Sequence, residues 1–581
     1  MKIEIFLKNI LNYWNFNNSL HLNLTVAAFF ILFFSLNSCT STHLFSGRIN
    51  AVDLSPGNIE IPIGSTERAT ALIDEYGKND LSGRVVKNLI SYWAQKDIPE
   101  WNKQGAKIKA PRIILAKLIM GIDIDSVNNY LLNKAVEPWS ESGSTWALRK
   151  GGDYDFTEVP LTAILYKFGN KPGLLYPETR DHLLNNLLIE SGNKVRAHVP
   201  GSLNIVPDTE NHILMTEGSR YLKNQYLRDV YGNTDPQYNN RTNGVETFLM
   251  DFLDELIDAG LFEFNSLPYS GYTITALMNL EAFAEEPLSS KAQEVLDTIM
   301  FKYALGSLDM RRCVPFRRQP QKAGTTSIQA DDTSMLSRLW VSIDDPDFQI
   351  LPITDRLHTA FYAAIMPYRV PDKTLNLIKE KDFPYFARLG RGTEASPEIF
   401  SGGPGYLLSA GGVYRGKSSM IVARPTTLIL SDGITDYRDC FHLHGRGDYK
   451  DWNNTGVFRN FACSDQHVFI PEWAEPTAYS EGWYIYNLNP SLSIAAFNDA
   501  KKKDLGLLVL FPGYTENHHM LAESLSKSNP DTNRLYTEFV WPNGDIITYD
   551  VKSKNNVWVI ATFNYEVLER NFDKWPDIYM E

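Results

Sequence analysis

The spacing of apolar residues changes near residue 375, and this change constrains the fold more than any other feature of the sequence. From about residue 65 to 370, apolar residues recur at i, i+3 and i+4, the period of an amphipathic helix. After residue 383 they alternate with a period of two, which is typical of β-strands. The sequence therefore predicts a helical region followed by an all-β region.

The helical region divides into segments separated by Gly, Pro, Asp or Asn. Its predicted helices are 81–97, 111–132, 157–169, 178–191, 209–226, 244–259, 273–284, 289–305, 327–343 and 355–364. So many helices with short connections favour paired helices wound into a solenoid or a closed ring. A regular repeat array is not expected, because no fixed period recurs in the sequence.

The second region is composed of short runs with strand-like alternation and almost no predicted helix. Its predicted strands are 406–414, 419–430, 457–461, 467–470, 482–487, 491–497, 505–511, 535–540, 545–551 and 557–564. The Asn543-Gly544 pair between two of these runs is a strong hairpin signal. Many strands at short spacing indicate a β-sandwich or stacked antiparallel sheets.

The N-terminus has the pattern of an export signal. Lys2 and Lys8 precede an uncharged apolar run at 24–36, which is shorter than the roughly 20 residues of a membrane span. The run ends in Leu36-Asn37-Ser38-Cys39, which resembles the lipobox cut by the lipoprotein signal peptidase. An ordinary signal peptide followed by a chance cysteine is the alternative.

The lipobox resemblance implies a mature chain that begins at Cys39 and is attached to a membrane by acyl chains on that residue. We therefore expect a signal peptide at 1–38, a linker at 39–64, a helical domain at 65–375 and a β domain at 380–581. No acidic run of the kind that often marks surface display follows Cys39. This favours the periplasmic side of the outer membrane over the cell surface.

Composition limits the partners and the cross-links of the chain. The formal net charge of −13 argues against a nucleic-acid partner. It leaves an anionic sugar polymer as a candidate, because a cleft can be locally basic on an acidic protein. Beyond Cys39 the chain has Cys313, Cys440 and Cys463, too few for a dense disulfide framework. Two alternatives remain, a Cys440–Cys463 bridge or buried thiols.

Two motifs in the helical region carry candidate chemistry. Asn211-His212 follows Thr209-Glu210 at a predicted helix start, and Tyr269 and Tyr272 stand near the start of another helix. Each motif also has a structural interpretation. The Asn-His pair fits a capped helix start with a half-buried imidazole, and tyrosines at i and i+3 fit core packing.

A third motif, His442-Leu443-His444, lies in the β region. Alternation along a strand places both imidazoles on one face, which suits a pair of metal ligands. The spacing supplies no third ligand, so a structural divalent metal is an alternative and no cofactor is the expectation.

Taken together, these features resemble the α/α-toroid polysaccharide lyases, namely the heparinase II/III-like lyases and the toroidal alginate lyases. The resemblance rests on a helical body, a β-rich tail, the Asn211-His212 pair and a tyrosine 57 residues further on (269 − 212). The segment Ser266-Leu267-Pro268-Tyr269-Ser270 is similar to the one that contains the catalytic tyrosine of those enzymes. It implies an α/α-toroid, incomplete or closed, followed by an antiparallel β-sandwich.

The resemblance also implies a reaction, β-elimination on a uronate polysaccharide, with alginate favoured and a glycosaminoglycan or glucuronan as alternatives. Asn211 and His212 would hydrogen-bond the uronate carboxylate and stabilise the enolate-like intermediate. Tyr269, or alternatively Tyr272, would act as base, acid or both, and His212 would be the base for the opposite stereochemistry at C5.

The remaining candidate residues would complete the cleft and bind the polymer. By family analogy the β domain reaches the cleft through His442, His444 or Arg446. The candidates for binding substrate are Trp146, Arg149, Lys150, Arg317, Arg318 and Arg446. Surface charge is the ordinary interpretation of these basic residues, and guanidinium binding of uronate carboxylates is the functional one.

Two rival functions use other residues. A glycoside hydrolase on the same helical scaffold would need paired carboxylates, for which Asp153 with Asp155 or Asp331 with Asp332 are available. A non-catalytic glycan-binding lipoprotein would instead use some of the 12 Trp and 29 Tyr residues as sugar platforms.

Overall fold

A computed structural model describes the chain from Leu81 to Glu581, with gaps. The described residues are 81–103, 105–139, 153–199, 206–322, 330–345, 353–390, 397–413, 420–431, 434, 436–445, 453–499, 504–554, 557–576 and 578–581. The predicted signal peptide and linker, with Cys39, Trp146, Arg149, Lys150 and Arg446, lie outside the described residues.

The first part of the described chain is helical. Its helices are α1 Leu81–Ala94, α2 Ala106–Met120, α3 Ile124–Asn133, α4 Asp155–Phe168, α5 Pro177–His182, α6 Glu210–Tyr231, α7 Asn240–Asn243, α8 Val245–Ala259, α9 Tyr269–Phe283, α10 Leu288–Leu305, α11 Asp332–Asp344, α12 His358–Ile365 and α13 Asp372–Lys379. A single π-helical turn, Leu183–Leu187, continues α5.

Local chemistry explains where several of these helices begin and end. The predicted helix 111–132 is two helices, because Gly121 adopts a left-handed conformation with φ of 65° and ends α2. The Ile122 N–H then donates to the Lys117 carbonyl, as in a Schellman motif. Helix α9 begins at Tyr269, earlier than predicted, so both candidate tyrosines lie in its first turn.

Helices distant in sequence contact one another. Helix α9 is buried along nearly its whole length and contacts α4, α6, α10, α11 and α12. Helices from the beginning and the end of this part also meet, because α1 packs on α11 and α12, and α12 also contacts α2. Apolar side chains from this whole region form one continuous core.

The second part of the described chain consists mainly of antiparallel strands. The strands are β1 Phe316–Arg317, β2 Tyr385–Leu389, β3 Glu398–Gly403, β4 Tyr406–Gly411, β5 Ile421–Val422, β6 Thr426–Leu430, β7 His442–Leu443, β8 Val457–Phe458, β9 Phe461–Ser464, β10 Val468–Phe469, β11 Ala478–Ser480, β12 Trp483–Asn489, β13 Leu492–Asn498, β14 Gly506–Pro512, β15 Glu538–Val540, β16 Ile546–Tyr549, β17 Ile560–Phe563, β18 Glu566–Val567 and β19 Ile578–Met580. The order predicted from the sequence, helices first and antiparallel sheets second, is confirmed.

The strands form two large sheets and two small ones. A seven-stranded sheet has the order β10-β7-β6-β4-β3-β2-β19, and a six-stranded sheet has the order β11-β12-β13-β14-β9-β8. Strands β15 to β18 form a third sheet, whose first hairpin turns at Asn543-Gly544 as predicted, with Gly544 at φ of 92°. Strand β1, from the helical part, pairs with β5.

The seven-stranded sheet is buried on both faces. On one face, Ile399 and Leu408 share a core with the six-stranded sheet. On the other, Phe400 and Leu407 pack with Leu305, at the end of α10. The described helical and β parts therefore share a core and belong to one compact unit.

Two further observations concern sequence expectations. No helix among the described residues is both long and apolar enough to cross a membrane. Cys313, Cys440 and Cys463 are buried thiols, so the Cys440–Cys463 bridge considered above is not formed.

Candidate functional site

The Asn211-His212 pair lies in the first turn of α6. Thr209 is extended, with ψ of 156°, and the helix begins at the next residue. The Asn211 side chain is fully buried, and its Oδ1 accepts a hydrogen bond from Thr209 Oγ1 at 2.5 Å. Its Nδ2 has no hydrogen-bond partner among the described residues. A buried amide without a partner costs about 1–3 kcal/mol, so this donor is available to a group that the described residues do not supply.

His212 is held as a cation by Asp155, the first residue of α4. Its Nδ1 atom is hydrogen-bonded to Asp155 Oδ2, and the two side chains are only 13% and 4% exposed. Burial alone would lower the pKa of His212, but the Asp155 carboxylate, with smaller contributions from Asp208 and Asp153, raises it to about 9. The same ion pair lowers the pKa of Asp155 against the opposing effect of burial. At neutral pH, His212 is therefore a proton donor.

An aromatic chain connects His212 to Tyr272. The Phe156 ring meets His212 edge-on at 5.8 Å and Tyr272 edge-on at 4.6 Å. Tyr272 then stacks on His358, with ring centroids 5.8 Å apart. Burial and the nearby Asp332 carboxyl raise the pKa of Tyr272, which disfavours its phenolate. His212, which follows Asn211 in α6, and Tyr272 thus lie in one cluster, with Tyr272 as a packing member of it.

Tyr269 is half-buried and lies beside Arg318. The guanidinium of Arg318 is 4.5 Å from the centre of the Tyr269 ring, and its Nη2 is 3.5 Å from the Tyr269 hydroxyl. The same guanidinium forms an ion pair with Glu263 at 2.5 Å. Arg317 is fully buried and stacks on Phe262 at 3.9 Å, so it is not on the surface that would meet a polymer.

A pair of buried carboxyls, Glu210 and Glu263, borders this cluster and was not predicted from the sequence. The backbone N–H of Glu263 donates to Glu210 Oε1 at 2.8 Å. Two residues that are 53 positions apart in the sequence are therefore in contact. Burial and the neighbouring Glu263 raise the pKa of Glu210 to about 7. Burial also raises the pKa of Glu263, although Arg318 and His212 act in the opposite direction. Of the two carboxyls, only Glu210 could have been noticed in the sequence, because it directly precedes Asn211.

The two aspartates at the start of α11 differ in their surroundings. Asp331 accepts a hydrogen bond from the Thr333 N–H, capping the helix, and forms an ion pair with Arg312 at 2.6 Å. Asp332 is 1% exposed, and neither of its oxygens has a hydrogen-bond partner among the described residues. The nearest guanidinium atom is Arg356 Nη2 at 3.9 Å, and the His358 imidazole, whose pKa burial holds well below its ordinary value, is 3.8 Å away. Burial raises the pKa of Asp332 to about 7.

The other aspartate pair considered for hydrolysis is occupied by ion pairs. Asp153 accepts a hydrogen bond from Lys107 Nζ at 2.6 Å, and Asp155 is bound to His212 as described. Carboxylates engaged in this way stabilise cations and are poorly placed to act as an acid and a base across a sugar ring.

His442, in β7 beside the edge strand β10, forms a separate contact group with His444. Their ring centroids are 4.7 Å apart, and His442 also stacks on Phe469 at 4.5 Å. Burial lowers the pKa of His442 to about 4, and burial with His467 lowers that of His444. Both imidazoles are neutral at neutral pH. Among the described residues no group of three or more His, Cys, Asp or Glu side chains is arranged to hold a metal ion.

The cluster in the helical part therefore combines four kinds of group. It contains an amide donor (Asn211) and an imidazolium (His212) and, linked to them through Glu263, a guanidinium (Arg318) and a half-buried phenol (Tyr269). Such a set can stabilise an anion and transfer a proton near it. Compared with known proteins, the chain matches no family model. It also shows no significant similarity to a curated protein.

Proposed function

We propose that this protein is a polysaccharide lyase that cleaves a uronate-containing polymer, of alginate type by preference, by β-elimination. The observation that carries the proposal is the buried Asn211 amide, which lacks a partner among the described residues, next to the His212 cation. A neutral donor and a cation side by side suit a carboxylate that gains negative charge when the C5 proton leaves.

The roles follow from the charge states of the groups. Asn211 and His212 bind the C6 carboxylate and stabilise the enolate-like intermediate. The raised pKa of His212, about 9, favours this donor role over the role of base that the family resemblance offered. Tyr269 removes the C5 proton or protonates the departing O4, because it is only half-buried and its hydroxyl lies beside the Arg318 guanidinium. Tyr272 maintains the packing of the cluster.

The proposal extends to architecture and location. The contact between early and late helices supports an α/α-toroid, and the two stacked sheets support a β-sandwich. His442 and His444, neutral and on the sheet that packs against the helical part, are the β-domain candidates for reaching the substrate. On the lipobox resemblance alone, we propose a lipoprotein anchored through Cys39 on the periplasmic side of the outer membrane.

The test is turnover by purified protein on alginate, glucuronan and glycosaminoglycans, followed by ultraviolet absorbance of the unsaturated product. We expect product from at least one uronate polymer. Tyr269→Phe should lower turnover by roughly 10²–10⁴-fold, the usual contribution of a positioned acid or base. Tyr272→Phe is the matched control and should lower it far less.

Other outcomes of this test discriminate against the lyase. New reducing ends without unsaturated product would favour the hydrolase. Binding to these polymers without any turnover would favour a glycan-binding protein. Near-normal turnover in both tyrosine variants would rule out tyrosine chemistry.

A further inference from the structure

A second cleft lies in the β part, where the six-stranded sheet meets the sheet formed by β15 to β18. It is bordered by the turn between β8 and β9, the end of β14 and the hairpin between β15 and β16. Its space of about 1160 Å³ includes open solvent, so a polymer can reach it from outside. The described residues that line it include no member of the Asn211-His212 cluster. The cleft is therefore a candidate binding site apart from the proposed catalytic one.

Aromatic side chains that are only partly buried line this cleft. They are Phe511, Tyr514, Trp541 and Phe563. Trp541 is held by its neighbours, because Phe539 meets it edge-on at 4.7 Å and Phe563 meets it edge-on at 6.0 Å. The Tyr514 hydroxyl donates to the Asn517 carbonyl at 3.2 Å, which restrains that ring as well. Rings that are fixed before binding lose little conformational entropy when a ligand covers them.

Polar groups lie beside these rings. The Trp541 N–H donates to the Asp545 carbonyl at 2.9 Å, so one hairpin turn holds the indole and the Asp545 carboxyl together. Hydrogen bonds from Asn564 at 2.9 Å and from Asn543 at 2.8 Å lower the pKa of Asp545, which is therefore ionised at neutral pH. Each carboxylate oxygen has a second lone pair for a ligand. Asn460 adds another amide to the lining.

Charge limits which ligand fits this cleft. Of the described residues that line it, Arg459 and Asp545 are the charged ones. The Arg459 guanidinium is already bound to Glu581 through hydrogen bonds of 2.7 and 2.9 Å. The remaining charge is that of Asp545, which would repel a uronate carboxylate. A lipid or an apolar protein face would have to take the same carboxylate out of water, which is costly.

We propose that this cleft binds neutral sugar residues of a glycan, at a distance from the site of chemistry. The C–H groups of a pyranose ring pack on an aromatic ring, whose negative face attracts them. The sugar hydroxyls donate to the Asp545 carboxylate and exchange hydrogen bonds with the Asn460 and Asn543 amides. The proposal does not rest on the lyase function, because the two sites share no residue.

The test is calorimetric titration of the purified protein with a soluble β-glucan, a galactomannan and a dextran, and separately with alginate. We expect binding of at least one neutral polymer. Trp541→Ala and Tyr514→Ala should each weaken it by roughly 10-fold or more, as loss of a central aromatic contact usually does. Both variants should leave the binding and turnover of alginate unchanged. Trp473→Ala is the matched control, because its side chain is 45% exposed and does not line the cleft.

A third variant guards against misfolding of the alanine variants. Asp545→Asn keeps the size of the side chain and removes its charge. It should weaken binding of the neutral polymer by roughly 3–10-fold, because a charged acceptor forms the stronger hydrogen bond.

Several outcomes would overturn the proposal. One is absence of binding to all three neutral polymers, and another is neutral-polymer binding that none of the three cleft variants weakens. Alginate binding that falls in Tyr514→Ala would assign the cleft to uronates. Binding of phosphatidylcholine vesicles that is lost in Tyr514→Ala would assign it to a lipid surface. Failure of the lyase assignment would be seen separately, as absence of turnover in the parent protein.

Discussion

The charge of His212 depends mainly on one neighbour, Asp155. Burial alone would favour the neutral imidazole, and the Asp155 carboxylate reverses that preference. In a β-elimination site, the choice between a neutral and a protonated imidazole decides whether His212 accepts or donates a proton. Asp155 could not be selected from the sequence for this role, because 57 residues separate it from His212 and its own motif suggested a hydrolase acid.

Replacing Asp155 should therefore move the pKa of His212 from above its ordinary value to below it. In the parent protein the raised pKa means that His212 contributes stability below its ordinary pKa of 6.5, and this is lost as the pH rises through about 9. In Asp155→Asn, burial is no longer opposed by this partner, and the pKa of His212 should fall below 6.5. Imidazole NMR measures both values.

The matched control is Asp153→Asn, at a carboxylate whose effect on His212 is smaller than that of Asp155. It should lower the pKa of His212 only slightly. An Asp155→Asn protein in which His212 still titrates near 9 would show that another group holds the proton.

A second residue-scale prediction concerns Asp332, whose pKa is raised from 3.8 to about 7. A raised carboxyl pKa means that stability is full below about pH 4 and is lost as the pH rises through about 7, by up to about 4 kcal/mol. Asp332→Asn removes the charge, so its free energy of unfolding relative to the parent should increase between about pH 5 and about pH 8.

Chemical denaturation at the two pH values measures this difference. Asp331→Asn is the control, because that carboxylate caps α11 and pairs with Arg312, so its loss should destabilise the protein at both pH values. If the free energies of unfolding of Asp332→Asn and the parent differed by the same amount at both pH values, the raised pKa of Asp332 would be contradicted.

At the scale of elements, the sequence was most informative about helices with a clear apolar period. The predicted segment 244–259 corresponds to α8, Val245–Ala259, and 289–305 corresponds to α10, Leu288–Leu305. Boundaries were less predictable where apolar residues continue through a break, as at Gly121. Burial on all sides also removed the amphipathic signal from the start of α9.

The missed elements in the β part have physical reasons. Strands β2 and β3 were not predicted, because both faces of their sheet are buried and their residues do not alternate. Strand β19 is a short edge strand at the far end of the chain. Helix α14, His518–Ser528, interrupts the predicted all-β region, although Asn517 caps it through the His519 N–H at 3.0 Å.

The candidate site was predictable only where it is local. Asn211 and His212 are consecutive, and Tyr269 shares a helical turn with Tyr272, so both motifs could be recognised along the chain. The contact of Glu263 with Glu210 spans 53 residues and depends on tertiary packing. No local pattern contains it.

The contact between α9 and α11 gives the element-scale prediction. A Cβ at Gly271 would lie 2.8 Å from Asp332 Cβ and 3.0 Å from Thr359 Cγ2, both in rigid parts of their side chains. Gly271→Ala should therefore destabilise the protein by about 1–3 kcal/mol, measured by denaturant unfolding. A stabilising effect would show that α9 and α11 can separate at little cost.

A second helical glycine supplies the control. At Gly218 in α6, a Cβ would meet only the Leu280 side chain at an ordinary 3.6 Å. Gly218→Ala should be neutral or should stabilise the protein by about 0.5–1 kcal/mol, because alanine loses less backbone entropy than glycine in a helix.

At the scale of the whole molecule, the seven-stranded sheet couples the two parts. It contributes one face to the core shared with the six-stranded sheet and the other to the core shared with the end of α10. The Phe400 ring packs closely on Gly306. A Cβ added to Gly306 would lie 2.7 Å from the Cζ atom of Phe400. Stability of the helical part should therefore depend on side chains in the β part.

Phe400→Ala tests this dependence. Loss of a fully buried phenylalanine costs about 3–5 kcal/mol, and we expect helical circular dichroism and tryptophan fluorescence to show the same lowered midpoint. Tyr565→Ala, at a side chain that is 81% exposed, is the control and should leave the midpoint unchanged. Two separated transitions in Phe400→Ala would mean that the parts unfold independently.

The three buried thiols give the molecule a set of internal reporters. Cys313 lies in the core between helix and sheet, and Cys463 lies in the core between the two large sheets. Burial raises the pKa of the Cys463 thiol well above its usual range, so a thiol-specific reagent reacts with it only after that core opens. The relative labelling rates of Cys313 and Cys463 would then show which of the two cores opens first, without any change to the sequence.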